Sequence, residues 1–588
     1  MCCYMAFSFR EIVNPTNNKS TLFVCPYVPD KPDVGTTAAR AQEHNKITSF
    51  TSGHGDTTAT VSLITSHYTL PFPYPVIWYS YLLNSLEVQM KQIINLKFVV
   101  LANRISMAAI LLLLLVFLVS VALVVRTWSA SRRSHEKARY ATAELRPYPL
   151  VGHLPQFLAN RHRILDWMTE VLSRQPTRTF VLRRPGGVRG VITANPANVE
   201  RFLRSGFDNY PKGERFASLL HDFLGRGIFN ADGEAWRSQR KAASYEFNTR
   251  SLRAFVARCV HGELHGRLLP LLRRAAAEGR AIDLQDALER FAFDNICRVA
   301  FDHDPGQLPD ASGGGALAEA DDGSTASGRF ADAFRDAANL SAGRFRYAVP
   351  WFWRVKKALH IGSERRLRES IAIVHDFADR IIRSRREEKR AGLEKHDLLS
   401  RFMASHDESY TEVALRDVVI SFLLAGRETT SSALTWFFWL LSSRPDVERR
   451  IREEVATVRA RRGDGDVDRV GFDLDELREM QYVHAAITES MRLYPPVPVD
   501  SLHAQEDDVL PDGTAVEAGW FVAYNSYAMG RMESVWGKDA AEFRAERWLE
   551  DAAAATFRPE SPFRYVSFHG GPRMCLGKEM AYIQMKSI

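Results

Sequence analysis

The chain has 588 residues, 46% hydrophobic and 25% charged, which is close to the globular average and excludes general disorder or a many-pass membrane protein. Its 77 Lys and Arg against 70 Asp and Glu leave a formal charge of +7, too dilute over this length for a nucleic-acid footprint, so no nucleic-acid partner is expected. The six cysteines, Cys2, Cys3, Cys25, Cys259, Cys297 and Cys575, are too scattered for a disulfide framework or a C-x-x-C zinc site, and point to reduced, cytosol-facing chemistry.

Residues 1–106 show no sustained period and no chemical motif. They read as a leader, an extension of the gene model in preference to a genuine extra segment, because Met107 heads the next feature. From Met107 to Val125 the chain runs MAAILLLLLVFLVSVALVV, with Ser120 the only polar side chain. As a helix this run is about 28 Å long, against roughly 30 Å of bilayer hydrocarbon, and a core helix of that length rarely lacks a polar face. The expectation is a single-pass anchor. Arg126, Arg132, Arg133, Lys137 and Arg139 follow it, so the positive-inside rule places the remainder in the cytosol. No A-x-A cleavage site follows, which favours a permanent anchor over a removed signal.

Residues 126–145 are a basic linker, and Arg146-Pro147-Tyr148-Pro149 stiffens the lead into one domain over 146–588. Thr179 to Thr193 reads as a hairpin turning at Pro185-Gly186-Gly187. Long helical patterns then dominate, so the fold class is mainly α with small β-sheets. Asp304 to Arg329 has only Leu308 and Leu317 as large apolar residues and is expected to be a mobile surface loop. A helix is expected from Glu412 to Ser443, bounded by Thr411 and Pro445. In its middle stands Ala425-Gly426-Arg427-Glu428-Thr429-Thr430, where a glycine costs about 1 kcal/mol against alanine and an acid and hydroxyls break an apolar stretch.

Near the end lies Phe568-His569-Gly570-Gly571-Pro572-Arg573-Met574-Cys575-Leu576-Gly577. A thiolate that binds iron needs backbone amides turned to its sulfur and a tight loop, which Gly571 and Gly577 permit. Arg573 supplies a cation suited to a cofactor carboxylate. This F-x-x-G-x-R-x-C-x-G pattern resembles the cytochrome P-450 superfamily of haem-thiolate monooxygenases, with Cys575 at the position of the proximal iron ligand. Glu489-Ser490-Met491-Arg492 matches the family's E-x-x-R, whose side chains share a helix face at i, i+3. Phe543 to Trp548 resembles F-x-P-E-R-W with Ala545 in place of proline, and the resemblance puts Arg547 in a buried Glu-Arg-Arg cluster with Glu489 and Arg492. Trp236-Arg237-Ser238-Gln239-Arg240 matches W-x-x-x-R, and implies that Trp236 and Arg240 meet a haem propionate.

The resemblance further implies haem b as cofactor, bound through Cys575 with Phe568, Gly571, Arg573 and Gly577 around it. Ala425 and Gly426 leave room for dioxygen, and Glu428 and Thr429 deliver protons. The glycine beside Thr429 is read as opening the helix groove. No G-x-G-x-x-G follows a strand and no Walker A occurs, so electrons are expected from NADPH through a separate membrane-bound flavoprotein reductase, docking on Arg237, Lys241 and Lys578. An endoplasmic-reticulum membrane location with a cytosolic catalytic domain follows from the same resemblance.

Tyr494 to Ser501, Asp507 to Gly513, AGRETTSSALTWFFWLL at 425–441 and EFNTRSLR at 246–253 resemble the plant fatty-acid ω-hydroxylases, and among them the subgroup that also oxidises the jasmonate–isoleucine conjugate. The implied reaction is terminal hydroxylation of a small amphipathic acid. Phe216, Leu219, Leu220, Phe223, Val497 and Val499 are the expected substrate-lining residues, with Arg184 or Arg189 holding a carboxylate and Phe345 to Lys357 resting on lipid. Family members continue further past the cysteine than Ile588, which raises truncation and a rival reading as an inactive haem-binding membrane protein. A hydroperoxide-rearranging P-450 is a third reading, opposed by the Glu428-Thr429 pair.

Overall fold

The computed structural model describes Leu112, Leu115, Val116, Val119 and Ser120, and residues 145–588 apart from 248–249, 309–325, 348–350, 394, 396, 406–410, 463–470 and 551–555. Those five residues of the apolar run are helical and exposed, and Ser120 donates to the carbonyl of Val116 at 2.7 Å. The rest of the expected anchor, the leader and the basic linker up to 144 lie outside the described residues. Among the described residues no helix is long and apolar enough to cross a membrane.

In chain order the elements that position the site are α1 (Ile164–Arg174), β1 (Thr179–Arg183), β2 (Arg189–Thr193), α2 (Gly213–Leu224), α3 (Gly233–Phe247), α4 (Arg250–Glu263), α5 (Leu284–Phe301), α6 (Ala326–Gly343), α7 (Phe352–Ala358), α8 (Ser363–Arg390), α9 (Glu412–Leu441), α10 (Pro445–Ala460), α11 (Gln481–Leu493), β3 (Val499–His503), β4 (Phe521–Asn525) and α12 (Lys578–Ser587). The architecture is mainly helical with small sheets. The expected hairpin is present: β1 and β2 pair antiparallel from Thr179 opposite Thr193 to Arg183 opposite Arg189, turned by Gly186 and Gly187 at φ 76° and 75°, a backbone region that favours glycine. The sheet order is β1-β2-β4-β3, with β4 parallel to β2 and antiparallel to β3.

Helices α5 and α9 lie side by side at the centre. Both are buried around most of their circumference, the pattern of helices enclosed by others. Thr411 caps α9 by accepting from the Ala414 N–H at 3.2 Å. The helix ends at Leu441, two residues before the expected Ser443, because the Ser442 and Ser443 hydroxyls turn back to the carbonyls of Trp439 and Leu440.

Two expectations change. The start of the Asp304–Arg329 segment is anchored, not loose: Asp304 pairs with Arg267 at 2.7 Å and Arg298 at 2.6 Å, and buried Asp294 accepts from the Gln307 and Leu308 N–H groups. Its end, from Ala326, belongs to α6. The second correction concerns α9 at Gly426. The helix stays continuous, and Thr429 Oγ1 donates to the Ala425 carbonyl at 2.7 Å, so the groove is not opened. Gly426 answers to packing: a Cβ built there would overlap Cβ, Cγ1 and Cδ1 of Ile296 on α5.

Gly426→Ala is therefore expected to destabilise the fold despite the better helix propensity of alanine, since overpacking costs about 1–3 kcal/mol against a gain of about 1 kcal/mol. Thermal unfolding of the single variant beside Gly426→Ala/Ile296→Ala checks this. The double variant should lose less than the sum of the two single losses.

Candidate active site

The C-terminal end of α11 carries Glu489 and Arg492, one helical turn apart and almost fully buried. Arg492 grips Glu489 with two bonds, Nε to Oε2 at 2.7 Å and Nη2 to Oε1 at 2.8 Å, the geometry that makes an arginine–carboxylate pair strong. Arg547 Nε lies 3.4 Å from Oε1. Two further donors join them from the Phe543–Trp548 segment, roles the motif itself had not assigned: Trp548 Nε1 reaches Oε2 at 2.9 Å, and the Arg544 N–H reaches Oε1 at 2.9 Å. Arg492 also donates to the carbonyls of Gly530, Ala540 and Glu542. A buried charge this well surrounded holds α11 to the segment that leads toward the cysteine loop.

In that loop Gly571 has φ 63°, and a Cβ there would run into the Leu203 carbonyl, so glycine is required on both counts. The Cys575 N–H donates to the Phe568 carbonyl at 2.8 Å, closing the loop. Gly577 stands beside the sulfur, its would-be Cβ 3.8 Å from Sγ. Cys575 is exposed, yet protein surrounds it closely enough that burial pushes the thiol above its ordinary range. The Gly577 N–H, Arg240 and Lys578 act in the opposite direction and favour the thiolate.

Cations gather beside it. Arg573 Nη2 bonds Asp232 Oδ1 at 2.6 Å and the Ala231 carbonyl at 3.0 Å, and its guanidinium lies 4.4 Å from the Trp236 ring centroid. Arg573 Nε is buried with no hydrogen-bond partner. A second group was invisible in sequence because its members are 288, 69 and 24 residues from their common carboxylate: Asp500 on β3 takes Lys212 Nζ at 2.7 Å, His569 Nε2 at 3.1 Å and the Tyr524 hydroxyl at 3.1 Å. Burial opposes ionisation of Asp500, but Lys212 and His569 overcome it and hold the carboxyl well below its usual range. The orphan Arg573 nitrogen, the cations Arg240 and Arg573, and a thiol on a glycine-tight loop fit an anionic porphyrin whose iron takes sulfur.

On α9, Glu428 and Thr429 are half-buried. Burial pushes the Glu428 carboxyl above its usual range while the adjacent Arg427 opposes this. Arg427 bridges Glu428 Oε1 at 2.7 Å to Glu289 Oε2 on α5 at 3.1 Å. Nothing in the sequence pattern had marked Glu289.

A cavity of about 190 Å³ lies against β1, β2, β3 and β4, between α1 and α2. Of the expected lining residues it takes Phe216 and Val499. Leu220 and Phe223 lie on the same face of α2 as Phe216 but one and two turns further along, where they pack in the core and not against the cavity, Phe223 against Phe334 at 5.4 Å. Leu219 is buried and its carbonyl accepts from Arg344. Val497 is half-buried and its carbonyl accepts from Ser526. Arg184 lines the cavity and bonds the carbonyls of Phe345 and Tyr347. Arg189 does not line it and sits at the surface, 3.6 Å from Glu517.

A thiol presented from a loop where only glycine fits, with guanidinium groups converging next to it and an acid–alcohol pair on the central helix, makes this a haem-thiolate monooxygenase by class. The chain belongs to the cytochrome P450 family, whose model, described as Cytochrome P450, matches residues 143–588. Among similar plant proteins, Cytochrome P450 CYP94D108 of Paris polyphylla is 52% identical over 438 residues, 74% of this chain and 83% of that one. Cytochrome P450 94A1 of Vicia sativa is 46% identical over 446 residues, 75% and 82% of the two chains. Cytochrome P450 94B3 of Arabidopsis thaliana is 43% identical over 482 residues, 81% and 90%.

Thiolate ligation has a spectroscopic signature. Ferrous protein under carbon monoxide should show a strongly red-shifted Soret band, and Cys575→His should abolish it while retaining some haem. An unshifted band in the parent chain would overturn the assignment of Cys575.

Proposed function

We propose that the chain hydroxylates the terminal carbon of a fatty acid, with electrons from NADPH through a separate flavoprotein reductase. The observation that carries this reading is the apolar cavity, joined to the cysteine loop through Lys212, Asp500 and His569. The likeness of the 425–441 and 494–501 segments to plant ω-hydroxylases supports it. The bound haem supplies dioxygen activation and insertion of one oxygen atom into a C–H bond.

The chain's own residues do the rest. Cys575 ligates the iron, and Trp236, Arg240 and Arg573 hold the propionates. Glu428, whose carboxyl burial pushes above its usual range while Arg427 opposes this, is the proton carrier, with the Thr429 hydroxyl beside it. The walls of the cavity exclude water and lead a flexible chain methyl-first. Arg237, Lys241 and Lys578 are offered to the reductase. For location we propose the endoplasmic-reticulum membrane, with Met107 to Val125 as anchor. Lipid contact around α7 is supported by Trp351, Phe352, Leu359 and Ile361, which are exposed, whereas Trp353 is buried beneath Arg344.

The jasmonate–isoleucine conjugate is the second reading, since its carboxylate also lies far from an apolar end. With reductase and NADPH, dodecanoic acid and the conjugate offered in competition should both be attacked terminally, the fatty acid faster. Scattered mid-chain oxidation would reject the terminal reading. Thr429→Ala should keep consuming NADPH while the ratio of hydrogen peroxide to hydroxylated product rises several-fold, because bulk water poorly replaces a positioned proton donor. Unchanged coupling would reduce Thr429 to a helix residue.

A further inference from the structure

The charge at the middle of α9 continues well beyond Glu428. Arg427 is almost fully buried and gives Nη1 to Glu428 Oε1 at 2.7 Å and Nη2 to Glu289 Oε2 on α5 at 3.1 Å. Glu289 is buried too, and it also takes Arg335 Nη2 from α6 at 3.2 Å and the Gln285 amide at 3.2 Å. Arg335 is half-buried, and its Nη1 meets the exposed Asp332 at 3.0 Å. Alternating charges thus run from the acid of the central helix across α5 to the surface of α6. The Arg427 guanidinium lies 5.5 Å from the Phe334 ring centroid, so packing as well as charge fixes its position.

These links do not conduct protons, because a guanidinium keeps its own at any working pH. They set the field at Glu428. Arg427 and Arg335 favour ionisation of that carboxyl, while burial and Glu289 oppose it. The two arginines hold Glu289 itself below its usual range against its own burial, so its charge is present at neutral pH. Other charges on the helices beside α9 meet their own partners: Asp286 of α5 pairs with Arg290, Asp379 of α8 with Arg416, Asp222 of α2 with Arg344, and Glu489 of α11 with Arg492. Among the described residues the Glu428 carboxyl is held through Oε1 alone. Released from Glu289, Arg427 could grip both oxygens of Glu428 in the stronger two-point form, and two cations would then face one carboxylate.

We propose that Glu289 is a positioning residue for proton delivery: it keeps one edge of Arg427 occupied, so that Arg427 steadies Glu428 without holding it as a permanent carboxylate. This rests on the reading of Glu428 as proton carrier given above. The close crossing of Gly426 and Ile296 serves the same end, since Glu289 stands about two turns before Ile296 on α5.

The test follows the full haem-loaded chain in two ways. The infrared carbonyl band of a protonated carboxyl, assigned by its loss in Glu428→Gln, is titrated against pH without turnover. With reductase, NADPH and dodecanoic acid, the fraction of reductant that ends in hydroxylated product is followed over the same pH range. In the parent both should fall together as pH rises through the Glu428 titration. Glu289→Gln should move this midpoint down by about one pH unit, the effect of one neighbouring charge, and acidification should restore coupling. Arg335→Gln removes a cation and should move the midpoint up, and general loosening of the fold would not produce two opposite shifts. Glu289→Asp keeps the charge and should stay close to the parent. The ferrous carbon monoxide spectrum checks that each variant holds haem; should Glu289→Gln fail there, the upward shift of Arg335→Gln decides. A midpoint that Glu289→Gln leaves in place or raises overturns the proposal, as does one that Arg335→Gln fails to raise. If the pH dependence of coupling survives in Glu428→Gln, the proton-carrier reading falls as well.

Discussion

A single carboxylate with no exposure, Glu489, takes donors from Arg492, Arg547, Trp548 and the Arg544 backbone. An unpaired charge there would cost several kcal/mol, so each donor segment is constrained to arrive in one place. Arg492 spends its remaining N–H groups on carbonyls of Gly530, Ala540 and Glu542. The result is a rigid joint between α11 and the irregular chain that follows it, and the cysteine loop continues from that joint. Without it, the glycines around Cys575 would present a sulfur with no defined direction.

The same logic recurs on the other side of the loop. Asp500 is buried on β3 and collects Lys212 from the start of α2, Tyr524 from β4 and His569 from the cysteine loop. One carboxylate thereby registers the small sheet, the cavity helix and the metal-binding loop against one another. Arg573 adds Asp232 and the face of Trp236 at the start of α3. In a mainly helical fold whose helices could slide along their apolar faces, these buried polar nodes supply the direction that hydrophobic packing lacks.

The central pair α5 and α9 shows how close packing and chemistry share one segment. Gly426 is small because Ile296 crosses it, and the close crossing brings Glu289 within reach of Arg427, which in turn holds Glu428. The weak spot in helix propensity is thus the point where two helices touch, and the acid that follows it is positioned by a partner on the other helix.

The sequence by itself determined the family, the cysteine loop, the E-x-x-R pair, the hairpin and the long central helix, because each of these is written in residues close together in the chain. Glycine punctuation, i, i+3 spacing and apolar periodicity are local signals, and local signals survive without coordinates. Only the tertiary structure decided that Trp548 and the Arg544 amide complete the Glu489 site, and that Asp500 joins Lys212 to His569. Only it showed that, of three residues packed in one core, Phe216 also lines the cavity while Leu220 and Phe223 do not. On α2 these positions share one face, and which of them meets the cavity depends on what packs against each successive turn of the helix. Pairing across hundreds of residues is settled by which buried charge can be satisfied where, and that depends on the whole chain being folded.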